Sequence, residues 1–270
     1  FQSTKVAPGL HVLIGVSGFT GGNIGLSIGE DGVVMVDDSM PPLLQTLKTA
    51  IATITDKPID FLINTHVHRD HTGNNNHFHD TGSHIIAHKN MRMNMLSKGI
   101  IRNGTQQPAP NAMLPVVTFS DTMQLHLNNE QLNIIHMARA HTDGDAIIHY
   151  QNANVIHTGD IFFNGIFPFI DIANGGSIDG YIKAQQAIYA MANDQTILIP
   201  GHGPIADKAK LKDTTVMLIE VRDLINEAIY AGKTEAQVVA DKTLAKFSND
   251  WSWSFITTEK MTRQVYRSLK

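Results

Sequence analysis

Six residues, His66-Val67-His68-Arg69-Asp70-His71, hold three imidazoles and a carboxylate directly after the apolar run Phe61-Leu62-Ile63-Asn64-Thr65. Imidazole and carboxylate are ordinary ligands of zinc and similar divalent metals. A protein core has little use for four such polar side chains, each needing its own hydrogen-bond partner. His66 and His68 are two apart, so an extended segment points both the same way. Asp70 and His71 need a turn beyond it to face a neighbouring ion. Three more polar residues stand where apolar runs give way to loops. They are His141 in Ala138-Arg139-Ala140-His141-Thr142-Asp143-Gly144-Asp145, Asp160 in His157-Thr158-Gly159-Asp160, and His202 in Pro200-Gly201-His202-Gly203-Pro204. Strand ends are where α/β folds collect reactive groups, and flanking glycines permit close backbone approach.

The elements that must position these groups are read from periodicity. The first part reads as short strands and tight turns: residues 11–16, a glycine-rich turn over 17–22, then 23–28 and 33–36 around Gly29-Glu30-Asp31-Gly32. Pro41-Pro42 opens a helical stretch to about Ile54. Residues 61–64 form a buried-type strand that delivers the histidine cluster. Residues 74–90 read as a short helix and the strand Ile85-Ile86-Ala87. Residues 97–120 carry three prolines and few periodic apolar positions, and read as a long loop bordering a site. The second part repeats the logic. Strands at 123–127 and 132–137 are joined by Asn128-Asn129-Glu130, and strands at 146–150 and 155–157 follow. Then come a helix at 181–192, a strand at 196–199 and a helix at 208–230. Thr234-Glu235-Ala236-Gln237 is a capping box opening another helix, and a last one covers 259–269. Strands then helix, twice over, predict two related α/β halves packed sheet on sheet with helices outside, in one domain over residues 1–270.

Composition narrows the partners. The chain has 270 residues, 42% hydrophobic, which suffices for a large core, and no apolar run approaches the roughly 20 residues of a membrane helix. A net charge of -4 gives no electrostatic case for nucleic acid. The expected partner is a small-molecule substrate, with neither nucleic acid nor membrane. There is no cysteine, so disulfides and thiolate ligands are excluded, and fourteen histidines are the anomaly that needs a reason. The chain opens at Phe1 rather than Met. That opening and the missing cysteines suggest a periplasmic or secreted home, with the cytoplasm as the alternative.

These ordered motifs, H-x-H-x-D-H, H-T-x-G-D, T-G-D and G-H-G, resemble those of the metallo-β-lactamase superfamily. The resemblance implies a four-layer αβ/βα sandwich with a two-metal site in the cleft between the sheets. His66, His68 and His141 would hold the first metal, and Asp70, His71 and His202 the second, with Asp160 bridging both. It implies two Zn2+ per chain, with iron or manganese as alternatives, and a hydrolase of an ester, thioester, lactone or amide. A metal-bound hydroxide would attack the carbonyl, and Asp70 would orient it or relay its proton. No Ser or Cys nucleophile is needed, and no G-x-S-x-G elbow is present. A β-lactamase is the alternative. One large lactamase group has cysteine at the position of Asp160 and lysine three residues later, where this chain has Phe163. The Asp160 ligand set is instead similar to the glyoxalase II and lactonase branches. A diiron oxidoreductase on the same scaffold ranks lower, since the related flavodiiron proteins place glutamate at the position of His68.

Phe19, Phe162 and Phe163 are expected to contact substrate. The apolar run from Phe162 to Phe169 would either face an apolar substrate portion or lie beneath the C-terminal helices. Arg69 is read as a structural ion pair ahead of a substrate anchor. The remaining histidines (His11, His77, His79, His84, His88, His126, His136, His149 and His157) take structural readings, with His77 and His79 also candidates to support the metal ligands from behind.

Overall fold

Side-chain alternation along each strand decides which layer a residue joins. A computed structural model describes residues 1–16, 19–102 and 104–270. The chain first lays down β1 (Gln2–Ala7), β2 (Leu10–Ile14), β3 (Ile24–Ile28) and β4 (Val33–Val36). It continues through α1 (Leu44–Ala52), β5 (Phe61–Ile63), α2 (Arg69–Thr72), α3 (Asn75–Asp80), β6 (His84–His88) and α4 (Lys89–Lys98). A small hairpin, β7 (Ile100–Arg102) and β8 (Thr105–Gln107), precedes β9 (Val117–Phe119). The second half holds β10 (Thr122–Leu127), β11 (Glu130–His136), β12 (Ala146–Tyr150) and β13 (Val155–Phe163), then α5 (Ile178–Met191) and β14 (Ile197–His202). It ends with α6 (Lys208–Tyr230), α7 (Glu235–Ala240) and α8 (Thr258–Ser268).

One sheet runs β1-β2-β3-β4-β5-β6-β9 and the other β10-β11-β12-β13-β14. Their inner faces meet: Val34, Val36, Ile63 and Ile86 of the first pack with Leu132, Ile148, Val155 and Ile199 of the second. The chain neighbours of those residues point outward. Val33, Met35, Leu62 and Ile85 pack on Leu47 and Ile51 of α1 and Phe78 of α3. Ile147, Ile156 and Leu198 pack on Ala184 and Ile188 of α5 and Leu211 of α6. The result is helix, sheet, sheet, helix: the expected four-layer sandwich. Each such buried aliphatic side chain contributes roughly 1.5–3 kcal/mol relative to exposure.

Local chemistry agrees with the reading at several joints. Asn128 and Asn129, at φ 58° and 57°, form the two-residue turn that closes the β10–β11 hairpin. The capping box at Thr234 and Gln237 is present and opens α7. Several elements differ from expectation, among them β1 and α4, which the periodicity did not announce. The segment 97–120 contains a hairpin and the sheet strand β9, which pairs in parallel with β6. β13 does not stop at His157 but continues to Phe163, with a register irregularity around Gly159. Of the expected turn over 17–22, Ser17 and Gly18 lie outside the described residues.

Candidate metal centre

The centre forms where one edge of both sheets gathers strand ends. β5 and β4 run parallel, so Thr65, just beyond β5 and directly before His66, meets Asp37, just beyond β4. His68 caps the single turn α2, which turns Asp70 and His71 back toward the cleft. His141 follows β11, Asp160 lies within β13, and His202 ends the parallel neighbour β14. Crowding is severe. A Cβ on Gly22 would sit 2.1 Å from the His71 ring, and one on Gly201 would sit 2.0 Å from Asp160 Oδ1. No other residue type fits at either place.

All seven expected ligands are brought together, in two groups: His66, His68, His141 and Asp160, and Asp70, His71 and His202. Asp160 touches both. Its Oδ2 lies 3.6 Å from His66 Nε2 and 3.5 Å from His141 Nε2. Its Oδ1 lies 3.1 Å from His71 Nε2 and 3.4 Å from His202 Nε2. Asp70 Oδ2 is 3.3 Å from His202 Nε2 and 3.5 Å from His71 Nε2.

Hydrogen bonds at the back of the rings decide what faces the centre. His71 Nδ1–H donates to Asp37 Oδ2 at 2.7 Å, and His141 Nδ1–H to the Phe169 carbonyl at 2.8 Å. His68 is turned the other way, donating from Nε2 to Asp171 Oδ2 at 2.8 Å. Thr65 gives its hydroxyl proton to Asp37 Oδ2 and accepts from His66 Nδ1 at 3.0 Å. In neutral rings the opposite nitrogens must then be bare lone pairs. His141 Nε2 and His68 Nδ1 accordingly face each other at 2.9 Å with no donor between them. His66 Nε2 and Asp160 Oδ1 are buried without a hydrogen-bond partner. Converging, unpartnered acceptors of this kind need a cation. The ligand–ligand edge of a tetrahedral ion with bonds of ~2.0–2.1 Å is roughly 3.3 Å. The separations in both groups cluster around that length, so the donor set fits two such ions.

Electrostatics in the absence of ions point to the same places. Burial pushes His66 well below the ordinary histidine value and His141 down to about 4. Burial is the largest influence on His71 and His202 and disfavours their charge, but the carboxylates of Asp160 and Asp70, with Asp37 beside His71, together outweigh it and hold His71 well up and His202 at about 9. Asp70 and Asp160 are pushed up by burial, yet the His71 charge and further histidine contacts hold both well below the usual carboxylate range. Negative charge thus accumulates between the two groups, and protons collect where cations would otherwise neutralise it.

A cleft of about 450 Å³ opens onto the centre. Phe19 and Phe163 line it, Phe19 stacked 5.6 Å from the His202 ring. Phe162 does not. It is fully buried against the outer-face core beneath α5, because neighbours on a strand point to opposite sides and Phe163 takes the cleft side. The Phe162–Phe169 run therefore divides. Phe167 packs under the C-terminal helices, whereas Phe169 lines the cleft. Arg69 also departs from expectation: it is exposed at the cleft and makes no ion pair among the described residues. His77 and His79 stay on α3, His77 packed edge-on against Phe78 and His79 paired with Asp80. The supporting contacts come instead from Asp37, Thr65, Asp171 and the Phe169 carbonyl. Trp253, Ser254 and Phe255 complete the wall and carried no sequence signal of that role.

The profile of the metallo-beta-lactamase superfamily matches residues 17–202. The chain belongs to the metallo-beta-lactamase superfamily. A metallo-beta-lactamase from Pontibacter korlensis has a similar fold, at a TM-score of 0.66 and 17% identity, covering 80% of this chain and 98% of that one. The stereoselective inverting sec-alkylsulfatase Pisa1 from Pseudomonas sp. reaches a TM-score of 0.72 at 17% identity, covering 98% of this chain and 49% of that one. Among curated proteins, the 2,4-dinitroanisole O-demethylase subunit alpha of Nocardioides sp. (strain JS1661) is 23% identical over 177 residues, which are 64% of this chain and 50% of the relative. The chain therefore spans about half the length of that relative and of the sulfatase. No helix among the described residues is long and apolar enough to cross a membrane.

Proposed function

We propose that the protein is a dinuclear zinc-dependent hydrolase that cleaves an ester, thioester, lactone or amide. One observation carries this reading: the two oxygens of Asp160 are shared between two ligand groups, each spaced for one small ion. His66, His68 and His141 would hold one metal, Asp70, His71 and His202 the other, with Asp160 across both. A bound pair of this kind acidifies water and polarises a carbonyl oxygen. The chain's own groups do the rest. Asp70 reaches the cleft, its side chain 20% exposed, and is held ionised, so it can accept a hydrogen bond from the attacking water and fix its approach. Phe19 and Phe163 exclude bulk water beside the ligands and contact the substrate.

β-Lactam hydrolysis is the second reading. The observation that favours it is Arg69, a cation in the cleft with no ion pair among the described residues, where the lysine of one lactamase group is absent. An iron-dependent redox role ranks below both, because His68 adds a nitrogen ligand that suits zinc. A substrate panel on zinc-loaded protein separates the readings. It should span chromogenic esters, thioesters, lactones and cephalosporins. Turnover of esters, thioesters or lactones above lactams supports the first reading; selective lactam turnover supports the second. Absence of both, with two metals bound, would refute hydrolysis of these classes. The alkyl sulfates and aryl methyl ethers suggested by the relatives' names belong in the same panel.

A further inference from the structure

The cleft carries aromatic groups beside both halves of the centre. On one side Phe19, 56% exposed, stacks on His202. On the other, Phe169 lies 5.7 Å from the His68 ring, and Phe255 lies 5.9 Å from Phe169. Phe255 is 49% exposed although a large apolar side chain gains by burial. Its position is prepared. Trp253 donates from Nε1 to the Phe167 carbonyl at 2.9 Å, while Phe167 N–H donates to the Trp251 carbonyl at 2.7 Å. The Trp253 and Phe255 rings lie 5.5 Å apart, and the Lys260 ammonium sits 4.8 Å over the Phe255 ring while donating to its carbonyl. This segment lies beyond residues 17–202, the part that the superfamily profile matches.

Charge adds a second constraint. Among the described residues lining the cleft, Arg69 is the one Lys or Arg, and it has no carboxylate partner. Ser254 is the one hydroxyl-bearing residue among the described residues of that lining. A sugar, peptide or nucleotide would leave most of its polar groups unpaired on such a wall, which is costly. A guanidinium left open at the rim instead suits one carboxylate, sulfonate or sulfate group.

The geometry points to an amphiphilic substrate: an aromatic or bulky apolar group held between Phe19 and the Trp253–Phe255 wall, with one anionic group reaching Arg69. The inference rests on the hydrolase reading for turnover, but the binding it describes is independent of catalysis. Preordered rings cost little entropy on binding, so they act as specificity determinants rather than as a loose cover.

A binding measurement tests it without turnover. 4-Nitrobenzenesulfonate is aromatic, anionic, a weak metal ligand and a quencher of indole fluorescence. It should quench the zinc-loaded protein saturably, and Trp253→Phe, but not Trp251→Phe, should remove most of the quenching. Phe255→Ala should weaken binding about tenfold, and Arg69→Gln about fivefold. The uncharged analogue 4-nitrotoluene should bind more weakly than the sulfonate to the parent protein but equally well to the parent and to Arg69→Gln. Turnover gives the second arm. The kcat/KM ratio of 4-nitrophenyl phenylacetate to 4-nitrophenyl acetate should fall about tenfold in Phe255→Ala. The ratio of the hemisuccinate to the butyrate ester should fall in Arg69→Gln. Phe255 and Arg69 are exposed, so unfolding is not expected, and thermal melting confirms that each variant is folded. Equal binding of charged and neutral probes, or unchanged ratios in both variants, would overturn the inference while leaving hydrolysis intact. Selective binding without turnover of any ester, thioester, lactone, amide or lactam would uphold the inference and overturn the hydrolase reading.

Discussion

Asp37→Asn is a single-atom test of how the ligands are aimed. Asp37 is fully buried and accepts three hydrogen bonds: Thr65 N–H on Oδ1, and Thr65 Oγ1–H and His71 Nδ1–H on Oδ2. Asparagine can keep an oxygen at the first position and so satisfy Thr65 N–H. An NH2 group then stands at the second, 2.7 Å from His71 Nδ1, where two donors would meet. The imidazole resolves this by moving its proton to Nε2, the nitrogen facing Asp160 and His202. The lone pair needed by a metal is lost from that side. Changes to such supporting partners cost 10–100-fold in metal affinity, or about 1.4–2.7 kcal/mol. The Thr65 hydroxyl must also reverse from donor to acceptor, which disturbs its contact with His66 Nδ1, so the first group weakens by less. Loss of a charge-assisted bond costs roughly 1.5–3 kcal/mol, which a protein of ordinary stability tolerates. The assay is a competition titration of zinc against a chromogenic chelator, with circular dichroism to confirm folding. One zinc should weaken by 10–100-fold and activity should become zinc-dependent. Two zinc ions bound as tightly as by the parent protein would refute the argument that Asp37 fixes the His71 tautomer.

Other substitutions and conditions probe separate links. Asp160→Asn should lower the bound metal from two to one per chain and reduce turnover by more than about 100-fold; atomic spectroscopy and steady-state kinetics check it. Phe162→Ala should destabilise the fold by about 3–5 kcal/mol in a denaturant titration and leave KM for an ester at the parent value, while Phe163→Ala should change KM. In the metal-free protein His71 and His202 hold protons at neutral pH, His202 up to about 9, as Asp160 and its neighbouring carboxylates together outweigh the opposing effect of burial. Zinc must displace those protons, so affinity for the second ion should rise with pH up to about 9. Calorimetry in buffers of different ionisation enthalpy should show proton release. Folded pKa values raised above 6.5 also stabilise the metal-free fold below pH 6.5, an effect lost as pH climbs to about 9. A melting temperature of the metal-free protein that does not fall over that window would contradict this assignment.

The cluster of candidate ligands was legible because metal chemistry restricts both residue type and spacing. His66, His68, Asp70 and His71 share one short stretch, and His141, Asp160 and His202 each follow an apolar strand signal. The unbroken apolar runs Val33–Val36 and Ile85–Ala87 likewise announce strands buried on both faces. The residues that sequence reasoning missed act across long separations. Asp171 reaches His68 over 103 positions, and Asp37 reaches His71 over 34. Asp37 also stands at φ 62°, an uncommon setting for a non-glycine residue and a mark of its constrained position that sequence does not display. Phe162 was misassigned because composition does not say which of two adjacent phenylalanines faces the cleft; strand parity does. Residues 97–120 looked irregular because three-residue strands carry too little periodicity to register. Trp253 and Phe255 reach the cleft only through the path of the C-terminal segment over Phe167 and Phe169.

Anomalous diffraction from crystals grown with zinc tests the central claim most directly. The account predicts two peaks per chain, ~3.5–4 Å apart, one among His66, His68 and His141 and the other among Asp70, His71 and His202, with the Asp160 carboxylate between them. A single peak, or none, in zinc-saturated protein would contradict it.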